Sequence, residues 1–155
     1  MRIRALHTLI AALLCAAASP ALSGGLPADD IRDALSHADD YGFIRYIEID
    51  ADHDERNIEI EGWLDETWRA EIKLSTSGDR RREERSRHEG GSWGMTLDQV
   101  HAAIDTAEAQ GMVTFEDIKV DRRGRIEVEG EDREGRDLGL YIADDTGEVT
   151  RVERD

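Results

Sequence analysis

Four carboxylates in this chain have the spacing of a calcium loop. Asp50, Asp52, Asp54 and Glu61 stand at positions one, three, five and twelve of the EF-hand pattern, the spacing at which side-chain oxygens wrap a divalent cation. Position six, where the sharp turn needs glycine, is Glu55, and the flanking residues alternate with period two instead of running helically. The stretch is therefore read as an acidic hairpin turn. Asp50, Asp52 and Asp54 stay as candidate ligands for a weak, exposed cation contact, and an acidic calcium-binding or buffering protein is an alternative function.

Glu59 with Glu61, and Glu127 with Glu129, have the look of acid and base pairs until the period is applied. Alternation sends both members of each pair to the solvent face of a strand, where nothing local would desolvate a carboxylate and tune it for proton transfer. Arg69 and Lys73 fall where they can pair across strands with these glutamates. The histidines outside the leader, His37, His53, His88 and His101, are scattered, and Ser92 stands where a zinc-peptidase helix would place its second histidine after His88-Glu89. No nucleophile elbow or glycine-rich phosphate loop is present in the sequence. The expectation is a non-enzymatic protein with no cofactor.

The tryptophans all fall in the first half of the chain or just after it. Trp68 is in phase with Ala70, Ile72 and Leu74 and is expected in the core. Trp63 is in phase with Glu59 and Glu61 and is expected to point away from that core, where the second half of the chain has Glu131. A large aromatic on a charged face either packs between two units or anchors a partner, so Trp63 is the candidate partner-binding residue. Trp93, beside Gly94, is expected at the same junction.

The elements that would position these residues are written twice. Ile31, Ala34, Leu35, Ala38 and Gly42 recur as Val100, Ala103, Ile104, Ala107 and Gly111, and Ile58-Glu59-Ile60-Glu61-Gly62 recurs as Ile126-Glu127-Val128-Glu129-Gly130. Thr96-Leu97-Asp98-Gln99 has the form of a capping box, and the apolar residues after it share one helical face. In the first copy, Pro27 and the acidic pair Asp29 and Asp30 suit a helix start. After each helix the period switches to two: Ile47, Ile49; Ile58, Ile60; Trp68, Ala70, Ile72, Leu74, and then Ile118, Val120; Ile126, Val128; Leu138, Leu140, Ile142. These are antiparallel strands with one apolar face. The second copy closes with a strand around Val149 and Val152. The first ends in Arg80 to Gly91, which carries no apolar residue and reads as a charged linker that, if extended, can only be an edge strand.

The fold expected is α+β: two helix-plus-antiparallel-meander units, residues 24–78 and 95–155, with each helix on one face of its own sheet and a linker over 79–94. A capped helix opening as Met95-Thr96-Leu97-Asp98-Gln99-Val100, a glycine after it, the turn Arg133-Glu134-Gly135 and the closing Asp145-Thr146-Gly147-Glu148-Val149 resemble the PepSY domain family. The resemblance covers the second copy throughout and the first from Leu26 to about Gly78. It implies a cystatin-like unit of exported proteins, no catalytic residues, and a role in restraining peptidases.

Residues 1–23 have the layout of a Sec signal peptide, with Arg2 and Arg4 before an apolar centre and small residues running to Ala21-Leu22-Ser23. The apolar run is shorter than the ~20 residues of a membrane span, so stable membrane insertion is not expected. Cys15 follows Leu14, where a lipobox wants a small residue, and its loss with the leader would leave no cysteine for a disulfide. The formal net charge is −16, and −18 without the two leader arginines. Such a surface repels nucleic acid and anionic lipid and favours basic partners. The sequence is thus read as a periplasmic or secreted, non-enzymatic binding or regulatory module for another exported protein, with a peptidase as the class implied by the resemblance; a structural module without a ligand is the remaining alternative.

Overall fold

The computed structural model describes residues 24–155. The predicted signal peptide, residues 1–23 with Cys15, lies outside the described residues. In chain order the elements are α1 (Ala28–Tyr41), β1 (Arg45–Asp52), β2 (Asn57–Trp63), β3 (Trp68–Ser75), β4 (Arg80–Arg87), α2 (Leu97–Ala109), β5 (Met112–Val120), β6 (Arg125–Asp132), β7 (Asp137–Ala143) and β8 (Val149–Arg154).

All eight strands belong to one antiparallel sheet of order β4-β3-β2-β1-β5-β6-β7-β8. This corrects the expectation of two helix-plus-meander units, each with its own sheet. The first strand of each repeat would by itself be an open edge with unpaired backbone groups. Pairing β1 with β5 removes both edges, and it merges two cores that would each be marginal at that size. The core is accordingly one cluster, drawn from both helices and both meanders.

The seam between the repeats is nearly two-fold symmetric. Ile49 pairs with Ile118, its own equivalent in the second repeat, flanked by Glu48 with Lys119 and Asp50 with Asp117. Beyond this short ladder each repeat sends the residue two before its helix across to the other repeat. Leu26 and Phe115 exchange two backbone hydrogen bonds of 2.8 Å, and Met95 and Tyr46 exchange two more of 2.8 Å. Gly25 and Gly94 precede these bridges. A Cβ on either would lie 2.5 Å from the carbonyl oxygen of Phe115 or Tyr46 respectively, so only glycine permits the approach.

Both helices cover the same face of the sheet. The stripe Ile31, Ala34, Leu35, Ala38 of α1 and Val100, Ala103, Ile104, Ala107 of α2 is buried. Where the helices meet, Arg32 reaches Asp105 and Glu108, both at 2.7 Å. The capping box forms as read: the Gln99 N–H donates to Thr96 Oγ1 at 3.2 Å, and the Thr96 N–H donates to Gln99 Oε1 at 2.8 Å. On β1 the register shifts between Tyr46 and Glu48. This bulge takes Ile47 out of the alternation expected for it, and Tyr46, only 1% exposed, fills the core beside Ile49.

The segment read as a linker, 79–94, is in large part strand. β4 pairs with β3 over Arg80–Arg87 and forms the sheet's outer edge, so the first repeat does have a closing strand. It needs no apolar residue because arginine stems do the covering. The Tyr41 ring, at the end of α1, lies 5.2 Å from the guanidinium carbons of both Arg80 and Arg85, and Arg85 Nε donates to its hydroxyl at 2.9 Å.

Trp68 is not in the core, although its phase matches Ala70, Ile72 and Leu74. Phe43 lies over Gly62, and the next row outward on that face is left open, with Trp68 44% and Ile44 46% exposed. Period assigns a side chain to a face; whether anything covers it there depends on where the helix ends.

Candidate functional site

The helices leave the other face of the sheet uncovered, and alternation makes that face charged. Two rows cross all eight strands through the ladder pairings. One runs Glu84, Glu71, Glu61, Glu48, Lys119, Glu127, Tyr141, Arg151, and the other runs Arg82, Lys73, Glu59, Asp50, Asp117, Glu129, Gly139, Glu153. Carboxylates predominate at the centre of the sheet, and the basic residues are spaced around them.

Those basic residues are already engaged. Arg69 is paired with Glu61, and Lys73 Nζ is 3.0 Å from both Glu55 and Glu59. Lys119 Nζ is 2.6 Å from Asp117 and 3.7 Å from each of Glu127 and Glu129. Partial burial works to lower the Lys119 pKa, but its hydrogen bond to Asp117 and the surrounding acids outweigh it and raise it to about 12. The ammonium is held charged by the acids of the face.

Glu48 and Asp50, on the central strand β1, have no ion pair or hydrogen-bond partner for their side chains among the described residues. Partial burial pushes the Glu48 carboxyl up, and the charges of Asp117 and Glu61 push it further. Asp50 is raised by burial first, then by Asp117, Glu59 and Asp52. Glu129 is raised by burial and by Glu127, against the pull of Lys119. The centre of the face is thus a field of negative charge that its own cations leave partly uncompensated.

The residues singled out in the sequence are distributed differently from expectation. Glu59, Glu61, Glu127 and Glu129 share the charged face, with Arg69 and Lys73 across from the first two as expected. Asp50 belongs to the same face. Asp52 instead closes the β1–β2 turn, its Oδ1 accepting the Glu55 N–H at 2.9 Å. The Asp54 side chain is 99% exposed. All three border one open concavity with Glu116, Asp117 and Glu129, but among the described residues no three acidic, histidine or cysteine side chains converge so as to hold a metal ion.

Trp63 lies on the charged face as its phase requires, yet it is only 2% exposed and presents no surface to a partner. Its ring stands edge-on to His88, with centroids 5.8 Å apart. His88, just past the Arg-rich strand, is thus one neighbour of the buried indole, and the sequence did not reveal that burial. Trp93 is at the junction between repeats, where Arg122 of the β5–β6 turn lies 5.4 Å from its ring.

Glu48, Asp117 and Lys119 were not picked out from the sequence. Their period-two spacing was the available signal, but the β1–β5 pairing that gathers them could not be read from either repeat by itself.

No family model matches the chain and no curated protein matches it; the PepSY resemblance rests on the residues quoted for it. Among the described residues no helix is long and apolar enough to cross a membrane. Among solved structures, the chain is similar to a candidate lipoprotein of Clostridium difficile 630, with 12% identity and a TM-score of 0.45 over 86% of this chain and 95% of that one.

Proposed function

We propose that this protein is a non-enzymatic binding module of the cell envelope, which docks a basic segment of another exported protein on the helix-free face of its sheet. The observation that carries the reading is the pair Glu48 and Asp50. Glu48 is partly buried and Asp50 exposed at the centre of the face, both carboxyls are raised by acidic neighbours, and neither is ion-paired among the described residues. A lysine or arginine brought by a partner would take up the charge that the protein leaves open, and the net charge of −16 would steer such a partner in. Export follows from the signal peptide expected over residues 1–23. The PepSY resemblance names an exported peptidase as the class of partner. The calcium-binding alternative has no comparable observation behind it.

The test is capture from a periplasmic extract by the immobilised protein, followed by affinity measurement with the purified partner. A partner with a basic surface is expected, with binding that weakens as salt is added. The double variant Glu48→Lys/Asp50→Lys, checked for fold by circular dichroism, should bind at least about tenfold more weakly. An unchanged affinity in the folded variant would refute the assignment to this face.

A further inference from the structure

The outer edge of β4 has a line of open backbone groups and a charge opposite to that of the chain. Just past the strand, the His88 N–H donates to Thr67 O at 2.8 Å. Alternation along the β3–β4 ladder then turns the backbone groups of Glu84 and Ser86 inward to β3 and those of Glu83, Arg85 and Arg87 outward. All eight residues of β4 are exposed. They include five arginines against two glutamates, in a chain whose net charge is −16. Arg80, Arg82 and Arg85 are ion-paired to Glu83, Glu84 or Glu71, whereas Arg81 and Arg87 have no ion pair among the described residues.

A charged edge ordinarily refuses strand pairing. Here the charge is mainly of one sign, so the refusal is selective. A second copy aligned edge to edge would set arginine against arginine, while an acidic strand would set carboxylates against the same arginines. The clamp of Arg80 and Arg85 on Tyr41 holds β4 to the body of the protein, so the edge is presented already extended. The opposite edge, β8, has only Arg151 and Arg154 against Glu153 and shows no comparable excess.

We propose that the outer edge of β4 is a docking site for an acidic, extended segment of a partner protein, which adds to the sheet as a ninth strand. The backbone groups of Glu83, Arg85 and Arg87 supply the ladder, and Arg81 and Arg87 select the charge. This surface is separate from the acidic face and does not rest on the reading given for it.

The probe is a short fluorescein-labelled peptide of alternating glutamate and valine, titrated with the full exported chain and followed by anisotropy; a lysine–valine peptide is the control. Saturable binding of the acidic peptide is expected, at least about tenfold tighter than the control and weakened by salt. Arg87→Pro removes one outward N–H without touching the β3 ladder and should lower affinity about tenfold, while Arg133→Glu, in the β6–β7 turn, should leave it unchanged. If Arg87→Pro disturbs the fold, Arg81→Glu/Arg87→Glu serves in its place with the same expectation. Equal loss in Arg133→Glu, or no loss in either β4 variant, would overturn the site. Self-association abolished by Arg87→Glu would also overturn it, since a second copy would then be the occupant.

Discussion

Gly94→Ala offers the sharpest test of how the two repeats are joined. Gly94 has φ +124°, a backbone conformation that residues with a Cβ rarely adopt, and the added Cβ would lie 2.5 Å from Tyr46 O and 3.1 Å from Tyr46 C. The contact is with backbone, so no side chain can swing away to relieve it. Strain of this kind costs about 1–3 kcal/mol. Separating the strands to relieve it sacrifices the two 2.8 Å hydrogen bonds between Met95 and Tyr46, each a net contribution of about 1 kcal/mol. The expected loss is therefore about 3–5 kcal/mol, a large share of the ~5–15 kcal/mol of a typical domain, and a fall in Tm of roughly 10–20 °C for a chain of this size. Urea unfolding followed by far-ultraviolet circular dichroism and by tryptophan fluorescence measures it, since Trp93 sits beside the bridge. Wild type should unfold in one transition with coincident probes, because the sheet and core are continuous. A variant within about 0.5 kcal/mol of wild type would refute the reasoning, as would a wild-type curve in two steps that resolve one repeat from the other.

Two further outcomes are expected. Asp50→Asn should stabilise the protein at neutral pH by roughly 0.2–1 kcal/mol, the scale of one like-charge cross-strand pair with Asp117. Burial and acidic neighbours raise the folded pKa of Asp50 above its unfolded value, so its ionisation costs stability, a cost that develops as pH rises from the unfolded pKa to the raised one. The gain should fade on acidification through the carboxylate range, and urea midpoints that show the same gain in acid would contradict the charge explanation. Trp63→Ala should destabilise by about 3–5 kcal/mol because the indole is buried, whereas Trp68→Ala, at a 44% exposed position, should cost less than about 1 kcal/mol; comparable losses in chemical denaturation would show the burial to be wrongly placed.

The repeat, the two amphipathic helices, the capping box at Thr96 and Gln99 and most strand faces were legible in the sequence, because each depends on periodicity over a few residues. The solvent orientation of Glu59, Glu61, Glu127 and Glu129 was legible for the same reason. Where local phase met a tertiary boundary it misled. Trp68 has the right phase for the core but lies in an open row, and Trp63 has the right phase for solvent but is buried, with His88 edge-on to its ring. Ile47 lost its place to a bulge, which shifts register in a way no hydrophobic pattern records. The Arg80 to Arg87 segment looked like a linker because it has no apolar side chain to bury; its strand character comes from β3 and from Tyr41, both distant in sequence.

By itself the sequence determined the helix and strand pattern that recurs in the two halves of this protein, because apolar spacing is a property of neighbouring residues. It also determined that the exposed sheet surface is acidic. Only the tertiary structure decided that the copies form one sheet. That outcome depends on pairing two strands nearly half the chain apart, and on Gly25 and Gly94 letting each repeat reach across to the other. The same pairing brings Glu48 and Asp50 beside Lys119 and Asp117 and turns scattered charges into a face, which neither repeat could form alone.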